Sequence, residues 1–289
     1  MTAQPARALI TRLADQLASA GIDNPRFEAR LLLGLALGRE DAPGSHEELA
    51  LDRQQADRLA GFLQRRCAGE PPSRLRGWRE FYGLRFQLNP AMLDPRPDSE
   101  ILVEAALRFA GQLGPDRALQ VADFGTGSGC LLLSLLAHLP AAHGVGLDIS
   151  AAALQGAADN ARALGLAGRV QFVEGDWQAP LPTDQFDILL ANPPYIREGD
   201  KASLAKEVVL HDPHQALFGG ADGLAAWRIL LPVLARRLAA SGRAFVEIGS
   251  DQAEPVTDLA RRAGLGLQDH LCDLAGRPRC LVFVQKDEK

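Results

Sequence analysis

Apolar residues in the first 70 positions recur at the three- and four-residue steps of amphipathic helices. One series begins at Leu9 and stops near Gly21, and a second covers residues 27–35. A third helix is predicted over residues 47–67, before two consecutive prolines break the periodicity. The pattern therefore predicts a small helical bundle as a first domain, residues 1–72.

A short linker with a different pattern follows, predicted over residues 73–95. Apolar and polar residues partly alternate over residues 81–88, with Gly83 between two short runs, and this predicts a β-hairpin. Residues 93–100 form a proline-stiffened loop, in which Ser99 is expected to cap the next helix.

The remainder, residues 96–289, alternates short apolar runs with helical stretches. Strands are predicted over residues 119–124, 144–148, 170–174, 186–191, 242–248 and 280–285. Helices are predicted at about residue 100 and over residues 130–139, 151–164 and 224–239. Such alternation predicts a Rossmann-like α/β domain, with a mostly parallel sheet and helices on both faces. Ligands of such sheets bind beyond the carboxyl ends of the strands.

Composition and charge narrow the class of protein. The 289 residues are 47% hydrophobic and 23% charged, the balance of a soluble globular protein. No stretch approaches the roughly 20 apolar residues of a membrane helix, and no signal-peptide core is visible, so the cytoplasm is the expected location. The net charge of −5 argues against direct nucleic-acid binding. A local cluster of Arg74, Arg76 and Arg79 is expected to form a solvated face.

A glycine-rich loop follows the first strand of the α/β domain. It comprises Gly125, Thr126, Gly127, Ser128 and Gly129. Three glycines let the backbone turn sharply and approach a ligand closely. The spacing G-x-G-x-G differs from the G-x-G-x-x-G that cradles a pyrophosphate. This loop therefore favours a ligand without phosphates, such as the amino-acid end of S-adenosylmethionine.

The next two strand ends carry residues suited to a nucleoside. Asp148 can accept hydrogen bonds from both ribose hydroxyls, although it could instead help to cap the following helix. Asp176 and Trp177 could hold an adenine by hydrogen bonding and stacking, and a packed surface tryptophan is the alternative. Together with the glycine loop, these residues predict S-adenosylmethionine as cofactor and S-adenosylhomocysteine as product.

The fourth strand leads directly into the tetrapeptide Asn192, Pro193, Pro194 and Tyr195. The Asn192 side-chain oxygen and the Pro193 carbonyl can accept both N–H groups of a planar amide or aniline-like nitrogen, aiming it at a methyl carbon. Tyr195 can lie against the flat face of that group. A sulfonium is already an activated leaving group, and the scattered histidines and cysteines suggest neither a triad nor a metal site. The sequence predicts a metal-free, S-adenosylmethionine-dependent methyltransferase.

These motifs resemble the class I methyltransferases, and the tetrapeptide narrows the resemblance to those that methylate planar nitrogens. From about residue 77 to the C-terminus, further segments are similar to the peptide chain release factor glutamine methyltransferase family. The similar segments are 79–84 (REFYGL), 95–100 (PRPDSE), 123–129 (DFGTGSG), 175–177 (GDW), 192–195 (NPPY), 207–208 (EV), 216–220 (ALFGG), 247–249 (EIG) and 273–276 (DLAG).

The resemblance implies a substrate, a partner and further site roles. The substrate would be the glutamine of a Gly-Gly-Gln motif in class 1 release factors, held by residues 192–195, with Asn192 also contacting the cofactor. The loop around Arg96 is similar to the family's substrate-side loop, and Asp94 departs there from the usual aliphatic residue. The helical domain has the family's size, and we expect it to recognise the partner, because one glutamine offers too little surface to select a protein.

The sequence leaves three alternative functions open. An adenine-specific DNA or RNA methyltransferase could use the same tetrapeptide, but it would need a flipped base and a cationic groove, and 31 basic residues stand against 36 acidic ones. A nicotinamide-dependent dehydrogenase is disfavoured by the glycine spacing. A non-catalytic binder of the translation machinery is disfavoured by the intact Asn192.

Overall fold

The computed structural model describes residues 3–114, 117–273 and 275–286. The ends of the predicted domains at residues 1–2 and 287–289, residues 115–116, and Leu274 of the 273–276 motif lie outside the described residues. The strands are β1 (Gln4–Pro5), β2 (Glu48–Leu49), β3 (Trp78–Phe81), β4 (Leu84–Gln87), β5 (Gln120–Phe124), β6 (His143–Asp148), β7 (Val170–Glu174), β8 (Phe186–Ala191), β9 (Leu238–Glu247), β10 (Leu265–Cys272) and β11 (Pro278–Gln285).

The α-helices are α1 (Ala6–Ser19), α2 (Pro25–Leu37), α3 (Arg53–Cys67), α4 (Pro72–Arg76), α5 (Glu100–Leu113), α6 (Cys130–His138), α7 (Ala151–Ala163), α8 (Lys206–His211), α9 (His214–Leu217), α10 (Ala225–Arg237) and α11 (Ala253–Arg262). Within the described ranges, none of these helices has the length and apolarity needed to span a membrane.

One compact unit comprises residues 1–77 together with residues 205–211. Its core is formed by leucines of α1 and α2, including Leu13, Leu17, Leu32 and Leu33, against which α3 packs. The predicted helical periodicity of α1 and α2 is confirmed, because their apolar faces are the buried ones.

The third helix begins at Arg53, so the prediction that it starts at residue 47 was wrong. Glu48–Leu49 instead pairs antiparallel with Gln4–Pro5. The carboxylate of Asp52 accepts the Gln55 backbone N–H at 2.7 Å, and the Gln55 side chain accepts the Asp52 N–H at 3.0 Å. This reciprocal capping box starts α3, and its D-x-x-Q signature is visible in the sequence.

A buried arginine joins the segment 205–211 to this unit. Arg66 is only 6% exposed and forms an ion pair with Glu28, whose second oxygen lies 3.1 Å from the guanidinium. Glu207 lies 3.5 Å away from the same guanidinium. A buried cation needs such partners, so Glu207 of the 207–208 motif has a structural role in the helical unit.

The prediction of a solvated face at Arg74, Arg76 and Arg79 was also wrong. All three are half-buried. Pro72 does not simply end the helical pattern but opens α4, which carries the first two arginines, because proline suits the first position of a helix.

The second compact unit comprises residues 78–204 and 212–289. It opens with the predicted hairpin, which is confirmed as β3 and β4. Tyr82 and Gly83 connect the strands with φ values of 51° and 71°. Two consecutive positive φ angles are typical of the tight turn whose twist matches paired strands.

The central sheet has seven strands in the order β10-β11-β9-β8-β5-β6-β7. Strands β9, β8, β5, β6 and β7 are parallel, and β11 is antiparallel to both β9 and β10. The predicted mostly parallel sheet is confirmed. Strand β10 and helix α11 were not predicted; β10 lies at the sheet edge with mostly exposed residues, so it lacks an apolar run.

Alternate residues of β8 enter two separate cores, one on each face of the sheet. Ile188 and Leu190 pack with α5 and α6, whereas Leu189 and Ala191 pack with α10 and α11. The predicted layer of helices on each face is thereby confirmed.

The strand register aligns the carboxyl ends of the central strands. Phe124 at the end of β5 pairs with Leu147 of β6 and with Ala191 of β8. Asp148 at the end of β6 pairs with Glu174 of β7. The loops that follow these strands therefore begin at one edge of the sheet.

Candidate active site

The glycine loop turns at the end of β5 with three positive φ angles. These are 83° at Gly125, 55° at Gly127 and 79° at Gly129. The N–H groups of Gly125 and Thr126 donate to the Leu147 carbonyl at 2.8 and 2.9 Å, which ties the loop to β6. A Cβ placed on Gly127 would meet no atom within 4 Å, so the backbone borders open space there. Such a cradle admits a ligand close to the main chain.

Asp148 lies beside this loop and connects it to β6. One carboxylate oxygen accepts the Gly127 N–H at 2.8 Å, and the other accepts the Ser150 N–H at 2.9 Å. The side chain that caps α7 belongs to Ser150, whose hydroxyl accepts the Ala153 N–H at 3.2 Å. Because each carboxylate oxygen can accept more than one hydrogen bond, Asp148 retains capacity for ribose hydroxyls. That contact stays a prediction.

A second carboxylate lies beneath the loop. Asp123 is buried and accepts the Thr126 hydroxyl at 2.7 Å. Burial, which disfavours the charged form, is the main reason that the pKa of Asp123 is raised to about 7.

The two residues predicted to hold adenine differ in their surroundings. Trp177 is half-buried, and its indole nitrogen lies 4.0 Å from the position that a Cβ on Gly125 would take. Asp176 is exposed, and its carboxylate accepts the Gln178 N–H at 2.9 Å. The structure thus brings Trp177 to the glycine loop, and both assignments stay predictions.

The tetrapeptide 192–195 follows β8, the strand adjacent to β5. Asn192 and Tyr195 are half-buried and Pro193 is buried. The loop is supported from behind by residues 217–223: the Ile196 N–H donates to the Leu217 carbonyl at 2.9 Å. Because β8 pairs with β5, the glycine loop and the tetrapeptide begin next to each other.

Two glycines allow this support to approach closely. A Cβ on Gly219 would lie 2.5 Å from the Pro194 carbonyl oxygen, and one on Gly223 would lie 2.4 Å from that of Tyr195. The buried Gln252 amide donates to the carbonyls of Tyr195 and Gly223 at 3.0 and 3.1 Å. The backbone of the tetrapeptide is consequently held in place, which suits a site that must orient a substrate.

Two functional candidates, Glu247 and Arg279, were not predicted from the sequence. Glu247 ends β9 and accepts hydrogen bonds from Ser99, Asn192 and Tyr195. Arg279 on β11 donates to the Tyr195 hydroxyl at 3.3 Å. Glu247 is the last residue of an apolar strand, as Asp148 is, and it belongs to the similar segment 247–249; both signals were available in the sequence.

Ser99 does not cap α5, contrary to the prediction. It belongs to a short 3-10 turn with helical backbone angles, and its hydroxyl donates to Glu247 at 2.5 Å. A buried carboxylate needs donors, and this need outweighs the local capping preference of serine.

The proline-arginine loop contains a cluster of charged groups. The Arg96 guanidinium binds the Asp212 carboxylate, and the backbone N–H of Asp94 donates to the same carboxylate at 3.2 Å. Asp94 is buried and lies 3.8 Å from the Arg79 guanidinium. The negative charge of Asp94, which departs from the usual aliphatic residue, is therefore balanced by Arg79. Substrate binding by Arg96 stays a prediction.

The strand order, the glycine loop and the tetrapeptide define a class I methyltransferase. Residues 99–222 match the methyltransferase small domain family, and residues 8–77 match the PrmC N-terminal domain family. Among solved structures, a methyltransferase from Pyrococcus furiosus is 14% identical with a TM-score of 0.51, covering 71% of this chain and 90% of that one. The hMettl16 catalytic domain is 16% identical with a TM-score of 0.56, covering 72% and 77%. These two likenesses concern the fold alone.

Curated relatives define the family within that class. The release factor glutamine methyltransferase of Bradyrhizobium diazoefficiens is 44% identical over 97% of this chain and 95% of that protein. The protein of the same name from Moorella thermoacetica is 44% identical over 94% of this chain and 96% of its own length. The chain belongs to the release factor glutamine methyltransferase family.

Proposed function

We propose that this protein transfers a methyl group from S-adenosylmethionine to the side-chain amide nitrogen of the glutamine in the Gly-Gly-Gln motif of class 1 peptide chain release factors. The family name supports the substrate. The observation that carries the chemistry is the placement of Asn192 at the end of β8, next to the glycine loop that follows β5. A bacterial translation factor as substrate supports the cytoplasm as the location.

The residues at the strand ends fit S-adenosylmethionine. The open backbone at Gly127 admits the amino-acid end, Asp148 offers acceptors for the ribose hydroxyls, and Trp177 offers a ring beside Gly125 for the adenine. When bound, the cofactor supplies a methyl group activated by the positive sulfur.

The protein's own contribution is to hold a weak nucleophile. The lone pair of an amide nitrogen is delocalised, so its orientation matters. The Asn192 side-chain oxygen and the Pro193 carbonyl accept the two N–H groups, which aims the nitrogen and favours the positive charge that develops on it before one proton is lost. The Tyr195 ring bounds the planar amide.

The direct test is incubation of the purified protein with labelled S-adenosylmethionine and an intact release factor. Mass spectrometry should find one added methyl on the Gly-Gly-Gln glutamine, and a factor with asparagine at that position should stay unmodified. Parallel reactions contain duplex DNA and RNA that carry adenine. Methylated adenine together with an unmodified factor would establish the alternative function.

The helical unit is proposed to dock the release factor. A cavity of about 1230 Å³ lies between α1, α2 and the following loop. Four exposed arginines line it together with apolar side chains and two acidic residues. The cationic members are Arg7, Arg12, Arg26 and Arg30, the apolar ones include Ile10, Phe27 and Leu31, and the acidic ones are Glu40 and Asp41.

Two features of this groove support docking of a protein. Phe27 is 70% exposed and lies in the same lining as Leu31, so the groove offers apolar surface for a partner to bury. Four arginines against two acidic residues make the groove locally positive within a chain of net charge −5. Charge complementarity therefore favours a release-factor segment that carries acidic residues beside an apolar one.

The docking proposal is tested with Arg30→Glu and Phe27→Ala in the full chain. Each should lower kcat/KM for an intact release factor by about 10-fold or more, the scale of an interface hot spot. The weak activity on a short Gly-Gly-Gln peptide should not change. Arg53→Glu on α3, whose side chain is 97% exposed, is the matched charge reversal. If Arg53→Glu has the same effect as Arg30→Glu, or if neither groove variant alters kcat/KM, the groove does not dock the factor.

A further inference from the structure

The carboxylate of Glu247 is buried within the candidate active site. The residue is 2% exposed and lies on β9, directly beside the end of β8. One oxygen accepts the Ser99 hydroxyl at 2.5 Å and the Asn192 amide nitrogen at 2.9 Å. The other accepts the Tyr195 hydroxyl at 3.2 Å. A residue of the turn before α5 and two residues of the tetrapeptide thus converge on one acceptor group.

This arrangement decides which way the Asn192 amide faces. The oxygen and the NH₂ of an asparagine side chain are nearly equal in size, so packing alone selects weakly between the two orientations. An ionised carboxylate only accepts hydrogen bonds, so it requires the NH₂ of Asn192 and repels the oxygen. The same NH₂ also lies 3.3 Å from the Ser99 hydroxyl oxygen. The side-chain oxygen of Asn192 is then directed away from Glu247.

We propose that Glu247 is a positioning residue that orients Asn192, so that its side-chain oxygen faces the nitrogen to be methylated. This inference rests on the proposed function. Glu247 acts through Asn192 and through the hydroxyl of Tyr195. Asn192 supplies the contact to the reacting group, and Glu247 determines that an oxygen, and not an NH₂, is presented there.

The ionisation of Glu247 links this orientation to pH. The neutral acid has an O–H that can donate to the Asn192 oxygen, so protonation permits the inverted amide. Burial raises the pKa of Glu247 above its usual range. Activity should therefore fall as the pH drops through this raised value. The other titratable and charged groups around Glu247 are Asp98, Cys130, Tyr195, Arg279 and Cys280.

A double-mutant cycle with Asn192 separates positioning from mere structural support. Glu247→Ala alone should lower kcat by about 100-fold, the scale of losing one aligned polar group. In an Asn192→Ala background the same change should lower kcat by no more than about 3-fold, because the group that Glu247 orients is already absent. Losses that multiply in the double variant would overturn the proposal, as would a wild-type kcat for Glu247→Ala.

Glu247→Gln provides a second test. Unlike Glu247→Ala, it preserves the size of the side chain and leaves no cavity. Its amide oxygen can still accept from Asn192, so kcat should partly recover relative to Glu247→Ala. The variant lacks an ionisable group, so the acid limb of the kcat–pH profile should disappear. An acid limb identical to that of the wild type would overturn the role of Glu247.

Matched controls distinguish this inference from the proposed function. Asp187→Asn removes a half-buried carboxylate of β8 that accepts the Gln120 N–H at 2.9 Å, and it should leave kcat and its pH profile unchanged. The wild type is assayed first with the release factor. A wild type that leaves the factor unmethylated refutes the proposed function, whereas an active wild type with multiplicative losses refutes only the role of Glu247.

Discussion

Asn192→Ala removes the side-chain oxygen that we assign to the glutamine amide and leaves the Pro193 carbonyl in place. The remaining acceptor can hold one N–H group, so the amide can rotate about that single contact. The orientation in which the amide nitrogen faces the methyl carbon is then only one of several that the amide can adopt. The change therefore acts on the chemical step more than on binding.

Two separate sets of contacts determine how far kcat and folding stability fall in this variant. Loss of one preorganised polar group in an active site lowers kcat by about 10² to 10³, or roughly 2.7–4 kcal/mol. The variant also removes the 2.9 Å hydrogen bond from Asn192 to Glu247. That loss costs about 1–3 kcal/mol of folding stability, because the acceptor is a buried carboxyl group. Ser99 and Tyr195 continue to donate to Glu247, so we expect the protein to stay folded.

The assay combines single-turnover kinetics, calorimetry and denaturant unfolding. Single-turnover methylation of a release factor gives the chemical rate, which should fall at least about 100-fold. Calorimetry with S-adenosylmethionine should show a dissociation constant within about 10-fold of the wild type, because Asn192 is expected to supply only one of the cofactor contacts and the glycine loop and Asp148 are untouched. Gln155→Ala, which truncates an exposed amide on α7, is the matched control and should match the wild type in every measurement.

Either of two results would contradict the role assigned to Asn192. A rate within a few-fold of the wild type would mean that the Asn192 oxygen does not orient the nitrogen. A rate loss matched by an equal loss of cofactor affinity would move Asn192 from the reacting amide to the cofactor.

Two further predictions concern the carboxylates at the strand ends. Asp148→Ala should weaken S-adenosylmethionine binding by about 1–3 kcal/mol in calorimetry, the cost of losing a charged acceptor, and unchanged affinity would place the ribose contact elsewhere. Asp123→Asn should flatten the dependence of folding stability on pH. The pKa of Asp123 rises from 3.8 to about 7 on folding, so the folded protein keeps a proton that the unfolded chain loses. Stability should fall as pH rises from about 4 to about 7, by at most about 4 kcal/mol. Urea unfolding at several pH values measures this, and parallel profiles for variant and wild type would contradict it.

Local sequence determined much of the fold and of the site. Helical periodicity located α1 and α2, and apolar runs located β5 to β8 to within a residue or two, because burial imposes a regular period on each element. The glycine loop, Asp148 and the tetrapeptide each follow their strand directly. A residue at the carboxyl end of a strand in a parallel sheet lies at the ligand edge whatever the strand order is, so these candidates needed no tertiary information.

Tertiary structure decided which of these positions meet. Ser99 and Glu247 are separated by 148 positions, and Asn192 and Glu247 by 55, and no local pattern links them. Ser99 has a plausible local role as a helix cap, yet its hydroxyl serves a distant carboxylate. The physical reason is desolvation: once β9 packs beside β8, the Glu247 carboxylate loses water and must accept hydrogen bonds from whatever donors the fold brings to it. Local sequence determines the preference of each side chain, and burial determines which partner satisfies it.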